Sequence, residues 1–174
     1  LIKFQLIKQI VEYVESVYAE GIEKLGDKFL FSLITNGTLI DQEVATYFAM
    51  HPRIALTVSL DGAEWINDQK RVSKAGKGTF HNVMRGLRYL RNAGCKNISL
   101  SCTVDDHNID HLDELLTFQE EFEFLSINLN PLLDTKKDRV DVDYIEKMSE
   151  RLLSYFRKAR EHGVYEDRIM RKVR

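Results

Sequence analysis

Two cysteines and two prolines are all that this chain of 174 residues contains of either type. Two thiols cannot build a disulfide framework. Cys95 and Cys102 stand seven residues apart in or beside one extended segment, too far along the backbone to bridge each other. Such usage points to a reducing, cytoplasmic compartment, with Cys95 as a loop thiol and Cys102 as a core thiol. Neither the spacing nor the neighbours of these thiols suggest a metal site. No apolar run reads as a signal peptide or a membrane span, and no Pro/Gly-rich linker or low-complexity stretch divides the chain. Charge of one sign is missing too: 25 Lys and Arg face 27 Asp and Glu, interleaved as on ordinary solvated faces. That balance excludes the strongly basic surface of a nucleic-acid binder. With 44% hydrophobic residues, the sequence reads as one domain able to bury a core.

Within it, four apolar runs each end in small polar residues. Residues 29–34 lead into Thr35-Asn36-Gly37, and residues 54–60 run into Ser59-Leu60-Asp61-Gly62. Residues 98–104 lead into Asp105-Asp106, and residues 124–129 pass Asn128 and end in Asn130-Pro131. Runs of this length rich in β-branched residues read as buried parallel strands. Their polar ends then stand at the C-terminal edge of the sheet, where α/β folds keep their chemistry.

Helical spacing fills the gaps. Phe80, Val83, Met84, Leu87 and Leu90 predict a helix over 80–93, with Thr79 as N-cap and Gly94 as the stop. Asp41 is placed to cap a helix over 42–50, and Asn108 or Asp110 one over 109–122. Residues 2–18 and 142–160 are amphipathic at both ends of the chain and read as packing helices. Strands alternating with helices imply right-handed βαβ units in a parallel sheet or barrel.

The strand ends hold the candidate functional residues, each with a bland alternative. Asp61 before Gly62 suits a tight turn, and so does Asn36 before Gly37. Arg71 can be a loop arginine paired with Asp68. The stretch Gly76-Lys77-Gly78-Thr79 fails as a phosphate-binding loop, which needs Gly at 71 and Ser or Thr at 78 where this chain has Arg71 and Gly78. His107 and His111 are four apart, but Asn108 and Asp110 look like cap residues and leave His107 before the helix. Asn128 and Asn130 alternate onto one strand face, as strand-terminus residues or as ligand contacts.

Taken together, Thr35-Asn36-Gly37-Thr38-Leu39, Ser59-Leu60-Asp61-Gly62, Asn67-Asp68 with Arg71, and Gly76-Lys77-Gly78-Thr79-Phe80 form an ordered set. This set resembles radical S-adenosylmethionine enzymes of the branch carrying SPASM or twitch auxiliary-cluster domains, which includes anaerobic sulfatase-maturating enzymes and peptide-modifying maturases. The resemblance implies a partial (β/α) TIM-like barrel, with the four strands here corresponding to the family's third to sixth. It implies that residues 1–174 are an incomplete core barrel. The Cys-x3-Cys-x2-Cys loop that holds a [4Fe-4S] cluster, the Gly-Gly-Glu motif and the auxiliary-cluster cysteines all fall outside such a piece.

What the resemblance implies for function is correspondingly divided. The parent enzyme would cleave S-adenosylmethionine reductively and abstract hydrogen from a peptide or protein substrate, drawing electrons from a donor such as flavodoxin or ferredoxin. The piece alone would be inactive and hold no metal. Ser59 and Arg71 would meet the carboxylate end of the cofactor, since a hydroxyl and a guanidinium suit a carboxylate. Thr35, Asn36 and Asn128 would line the cofactor, and Asp61 and Asn130 the barrel mouth near the substrate. The contrasting expectation is a non-catalytic barrel-like module that binds a partner protein through an open sheet edge. Neither reading calls for nucleic acid or a membrane.

Overall fold

The computed structural model describes residues 3–132 and 142–166. Helix α1 (Phe4–Val17) and the short α2 (Ala19–Leu25) precede β1 (Phe31–Thr35). Then follow α3 (Gln42–Met50), β2 (Ile54–Ser59), α4 (Glu64–Lys70), α5 (Phe80–Asn92), β3 (Ile98–Val104), α6 (Glu114–Phe122), β4 (Ser126–Pro131) and α7 (Val142–Glu161). The four strands form one parallel sheet in the order β1-β2-β3-β4, the parallel α/β arrangement expected from the alternation and the partial barrel implied by the resemblance. Among the described residues β1 pairs only with β2 and is the edge strand of this sheet. No helix among the described residues is long and apolar enough to cross a membrane.

The strands are not buried on both faces, as uniformly apolar parallel strands would be. Ile54, Leu56 and Val58 of β2 and Ile98, Leu100, Cys102 and Val104 of β3 are buried, while every residue between them is half-exposed. A strand sends alternate side chains to opposite faces. The buried set joins Val11 of α1, Val44 and Phe48 of α3, Val83, Leu87 and Leu90 of α5, Leu115 of α6 and Tyr155 of α7 in one core. Helices α1, α3, α5, α6 and α7 thus pack on one face. The other face, the inner side of a barrel, carries Thr57, Ser59, Ser99, Ser101, Thr103, Ser126, Asn128 and Asn130.

Several expected boundaries move for local reasons. β1 starts two residues late, and its predecessor Phe29 packs edge-on against Phe31 at 5.1 Å between ring centres. The single helix expected over 109–122 is split into a 3-10 turn at Ile109–His111 and α6, because Asn108 does not cap it. The Asn108 amide instead donates to the Asp61 and Thr103 carbonyls at 3.0 and 2.7 Å, and its Oδ1 accepts the Asp105 N–H at 2.9 Å. Asp41 does cap α3, accepting the Val44 N–H at 3.0 Å. Close approach explains two glycines. A Cβ at Gly86 would lie 2.5 Å from the Gly37 carbonyl oxygen, and one at Gly78 would collide with the Asp68 carboxylate.

Candidate functional site: a polar sheet face closed by an ion-pair latch

The inner face is built in rows set by the parallel register. Thr57, Ser99 and Ser126 share one row, Ser59, Ser101 and Asn128 the next, and Thr103 and Asn130 the last. Hydroxyls and carboxamides at alternate positions let the backbone ladder form normally while leaving a surface of hydrogen-bonding groups. Within it, Ser126 Oγ donates to Ser99 Oγ at 2.9 Å, and Asn128 Nδ2 to the Leu100 carbonyl at 3.2 Å. Asn130 Nδ2 donates to Ser101 Oγ at 2.9 Å. The Ser59 hydroxyl makes no hydrogen bond to any described residue. No charged side chain stands in these rows; among the described residues, Arg71 brings charge to the face at its C-terminal end.

There α4, a helix of seven residues that the sequence pattern does not announce, crosses the ends of β2 and β3. Its last residue, Lys70, is ion-paired with Asp105 beyond β3. The next residue, Arg71, grips Asp61 beyond β2 with Nε on Oδ2 at 2.5 Å and Nη2 on Oδ1 at 2.8 Å. A bidentate guanidinium–carboxylate pair is the strongest common form of charged hydrogen bonding. Arg71 Nη2 also reaches Thr103 Oγ1 at 3.5 Å, which ties the guanidinium to the polar face. Arg71 is therefore held by Asp61, not by Asp68.

Asp68 has another task. Its Oδ1 accepts the N–H groups of Thr79 and Phe80, both at 2.9 Å, and so caps α5. Thr79 occupies the cap position but its hydroxyl donates to the Arg71 carbonyl at 2.8 Å, so the side-chain cap expected from Thr79 comes from Asp68. Residues 72–78 form a small hairpin between α4 and α5, with Val72 bridged to Gly78.

The remaining candidates separate. Thr35 lies on the helix side of β1, buried, with Oγ1 accepting the Gly37 N–H at 3.2 Å. Asn36 is exposed and closes a turn, its Oδ1 accepting from the Thr38 N–H and hydroxyl. The structure therefore brings Ser59, Asn128, Asn130, Asp61 and Arg71 to one face and its rim, and leaves Thr35 behind the sheet. Thr103, Ser101, Asn108 and the Lys70–Asp105 pair were missed. Ser99, Ser101 and Thr103 at every second position were the available signal.

Both thiols are inert by environment. Burial pushes the Cys102 thiol far above its ordinary range, and the Asp61 carboxylate adds to the rise. Burial raises the half-buried Cys95 to about 11. For Asp105, burial pushes the carboxyl up, but the Lys70 ammonium and the His107 N–H outweigh it and hold it below the usual carboxylate range. His107 contributes that backbone N–H, and His111 pairs with Glu114 at 3.4 Å and meets Trp65 edge-on.

Comparison with known proteins places this architecture. The chain is 41% identical over 81 residues to the mycofactocin maturase MftC of Mycolicibacterium smegmatis, covering 46% of this chain and 20% of that protein. It is 24% identical over 138 residues to a cysteine-type anaerobic sulfatase-maturating enzyme of Clostridium novyi, covering 79% of this chain and 35% of the enzyme. The chain thus spans about a third or less of the curated relatives it matches. A solved structure of native anSMEcpe with bound AdoMet superposes with a TM-score of 0.64 at 22% identity, covering 79% of this chain and 39% of that one, which supports the fold. The model of the radical SAM superfamily matches residues 5–118, well over half of the chain, and the protein belongs to that superfamily.

Proposed function

We propose that this chain forms the cofactor-binding inner wall of a radical S-adenosylmethionine enzyme that modifies a peptide or protein. The observation that carries this reading is the inner sheet face: neutral hydroxyls and carboxamides on β2, β3 and β4, flanked by Ala55 and Ile34, with one guanidinium at its end. S-adenosylmethionine fits that donor set. Its carboxylate suits the Ser59 hydroxyl and the Nη1 edge of Arg71, which has no partner among the described residues. Its adenosine suits Asn128, whose Nδ2 is committed to the sheet and whose Oδ1 remains an acceptor for an amino group. Asn130 then stands toward the mouth, on the substrate's side.

An iron–sulfur cluster does not fit. Such clusters need thiolates at close spacing. Cys95 donates to the Ala45 carbonyl at 3.5 Å, and Cys102 is sealed on the helix side of the sheet. The [4Fe-4S] ligands therefore belong to a part of the enzyme outside this chain, as would any auxiliary-cluster domain. When bound, the cofactor supplies hydrogen-atom abstraction after reductive cleavage, with electrons from a donor such as flavodoxin or ferredoxin. This chain's residues hold the cofactor, orient it by its polar ends and keep water from the reacting centre, which is worth much in a positioned reaction.

The relatives favour a peptide substrate: those named are maturases, and one structural neighbour, at a TM-score of 0.65, is native anSMEcpe with bound AdoMet and a Kp18Cys peptide. Anaerobic reconstitution of the full-length enzyme, followed by mass spectrometry of co-expressed candidate peptides, tests the reading. A mass change that requires S-adenosylmethionine and a reductant supports it. Release of no 5′-deoxyadenosine under those conditions overturns it.

A further inference from the structure

Asp61 stands at the end of a strand, where a catalytic or substrate-binding carboxylate would be sought, yet the protein uses both of its oxygens. Oδ2 takes Arg71 Nε, and Oδ1 takes both Arg71 Nη2 and the Thr103 N–H at 2.9 Å. Its backbone is pinned as well. The Asp61 N–H donates to Asn67 Oδ1 at 3.3 Å, its carbonyl accepts Asn108 Nδ2 at 3.0 Å, and Asn67 and Asn108 are both buried. The side chain is only 11% exposed, which leaves little of it open to a ligand.

Arg71 is fixed in turn. A guanidinium presents five donors in a rigid plane. Nε and Nη2 are spent on Asp61 and Thr103, so the plane cannot swing, and the two Nη1 protons point from a side chain that is 27% exposed. We infer that Asp61 is a positioning residue for cofactor binding: it locks the Arg71 fork so that Nη1 is presented, already oriented, to the carboxylate of S-adenosylmethionine. Ordering a long side chain before the ligand arrives removes that entropic cost from the binding step. The inference rests on the proposed pairing of Arg71 with the cofactor carboxylate. Asp105 holds the preceding residue, Lys70, by a single ion pair, so the end of α4 is tied to the ends of two neighbouring strands.

Charge alone predicts the opposite outcome on mutation, which makes the inference testable. Asp61→Asn removes a negative charge beside the site and would tighten binding of an anionic group if net charge decided. Positioning predicts a loss instead. The experiment is anaerobic titration calorimetry of the full-length holoenzyme with S-adenosylmethionine and with its decarboxylated counterpart, which lacks only the carboxylate. Asp61→Asn should bind S-adenosylmethionine about tenfold more weakly and the decarboxylated ligand as the wild type does. Retained affinity for that second ligand also shows that the variant is folded, and Asp61→Glu, which keeps the charge but displaces it, serves as a second variant with the same expected pattern. Equal losses for both ligands would make Asp61 merely structural, and unchanged or tighter S-adenosylmethionine binding would refute positioning. Arg71→Ala separates the two layers. If it erases discrimination between the ligands while Asp61→Asn does not, only positioning fails; if it leaves discrimination intact, the Arg71–carboxylate pairing itself fails.

Discussion

Asp68→Ala should unseat the first turn of α5 and be felt across the whole core. In the native structure a single oxygen, Oδ1, accepts the Thr79 and Phe80 N–H groups at 2.9 Å each and the Asn67 amide at 2.9 Å. Removing a helix cap costs about 1 kcal/mol, and losing hydrogen bonds to a charged acceptor costs about 1.5–3 kcal/mol. These figures describe the same bonds, so the combined loss is about 2–3 kcal/mol rather than their sum. Because α5 places Val83, Met84, Leu87 and Leu90 in the core, the loss cannot be confined to local fraying. For a chain of this size it corresponds to a fall in Tm of about 4–12 °C. Asp68→Asn keeps an acceptor in place and should lose no more than about 1 kcal/mol. Gly78→Ala pushes a methyl into the same carboxylate and should reproduce part of the defect, with a double variant less impaired than additivity predicts. Urea denaturation followed by far-UV circular dichroism measures all of these. A loss below about 0.5 kcal/mol for Asp68→Ala, the range of an ordinary surface change, would refute the capping argument.

Three further outcomes follow from particular residues. The folded-state pKa of Asp105 lies below its unfolded value, so its contribution to stability is present above the ordinary carboxylate range and is lost as pH falls through the depressed folded value; Asp105→Asn should flatten the stability–pH curve below about pH 4. Burial raises the Cys95 thiol to about 11 and Cys102 higher still, which disfavours the reactive thiolate, so native protein should resist iodoacetamide while urea-unfolded protein reacts at both positions. Finally, β1 is an edge with Ile34 70% exposed, and the 174-residue chain made alone should self-associate at high concentration. Ile34→Lys should reduce this in sedimentation experiments, and a monodisperse wild-type monomer would contradict it.

How much of this was legible in the sequence depends on how far each interaction reaches. The span Ile98–Val104 and the Asp41 cap of α3 were readable because strand and cap patterns lie within a few residues. The Asp68 cap of α5 was not, since the carboxylate sits eleven and twelve residues before the amides it binds and Thr79 offers a locally sufficient alternative. Arg71 was assigned to Asp68 or to a ligand because α4 went unseen. A helix of seven residues gives too few turns for a periodic signal, yet it is α4 that carries Arg71 back to Asp61. The polar inner face was partly visible in Ser59, Asn128 and Asn130. Its extension through Ser101 and Thr103 was overlooked because small hydroxyl residues in an apolar run read as part of a buried strand.

A crystal structure of the full-length enzyme with S-adenosylmethionine shows directly where the cofactor lies. The predicted result is a cofactor laid along the inner face of β2, β3 and β4, its carboxylate within hydrogen-bond distance of Ser59 Oγ and Arg71 Nη1, and the Asp61–Arg71 pair unbroken. A cofactor bound away from that face, or an Arg71 that has left Asp61 to reach it, would contradict the account.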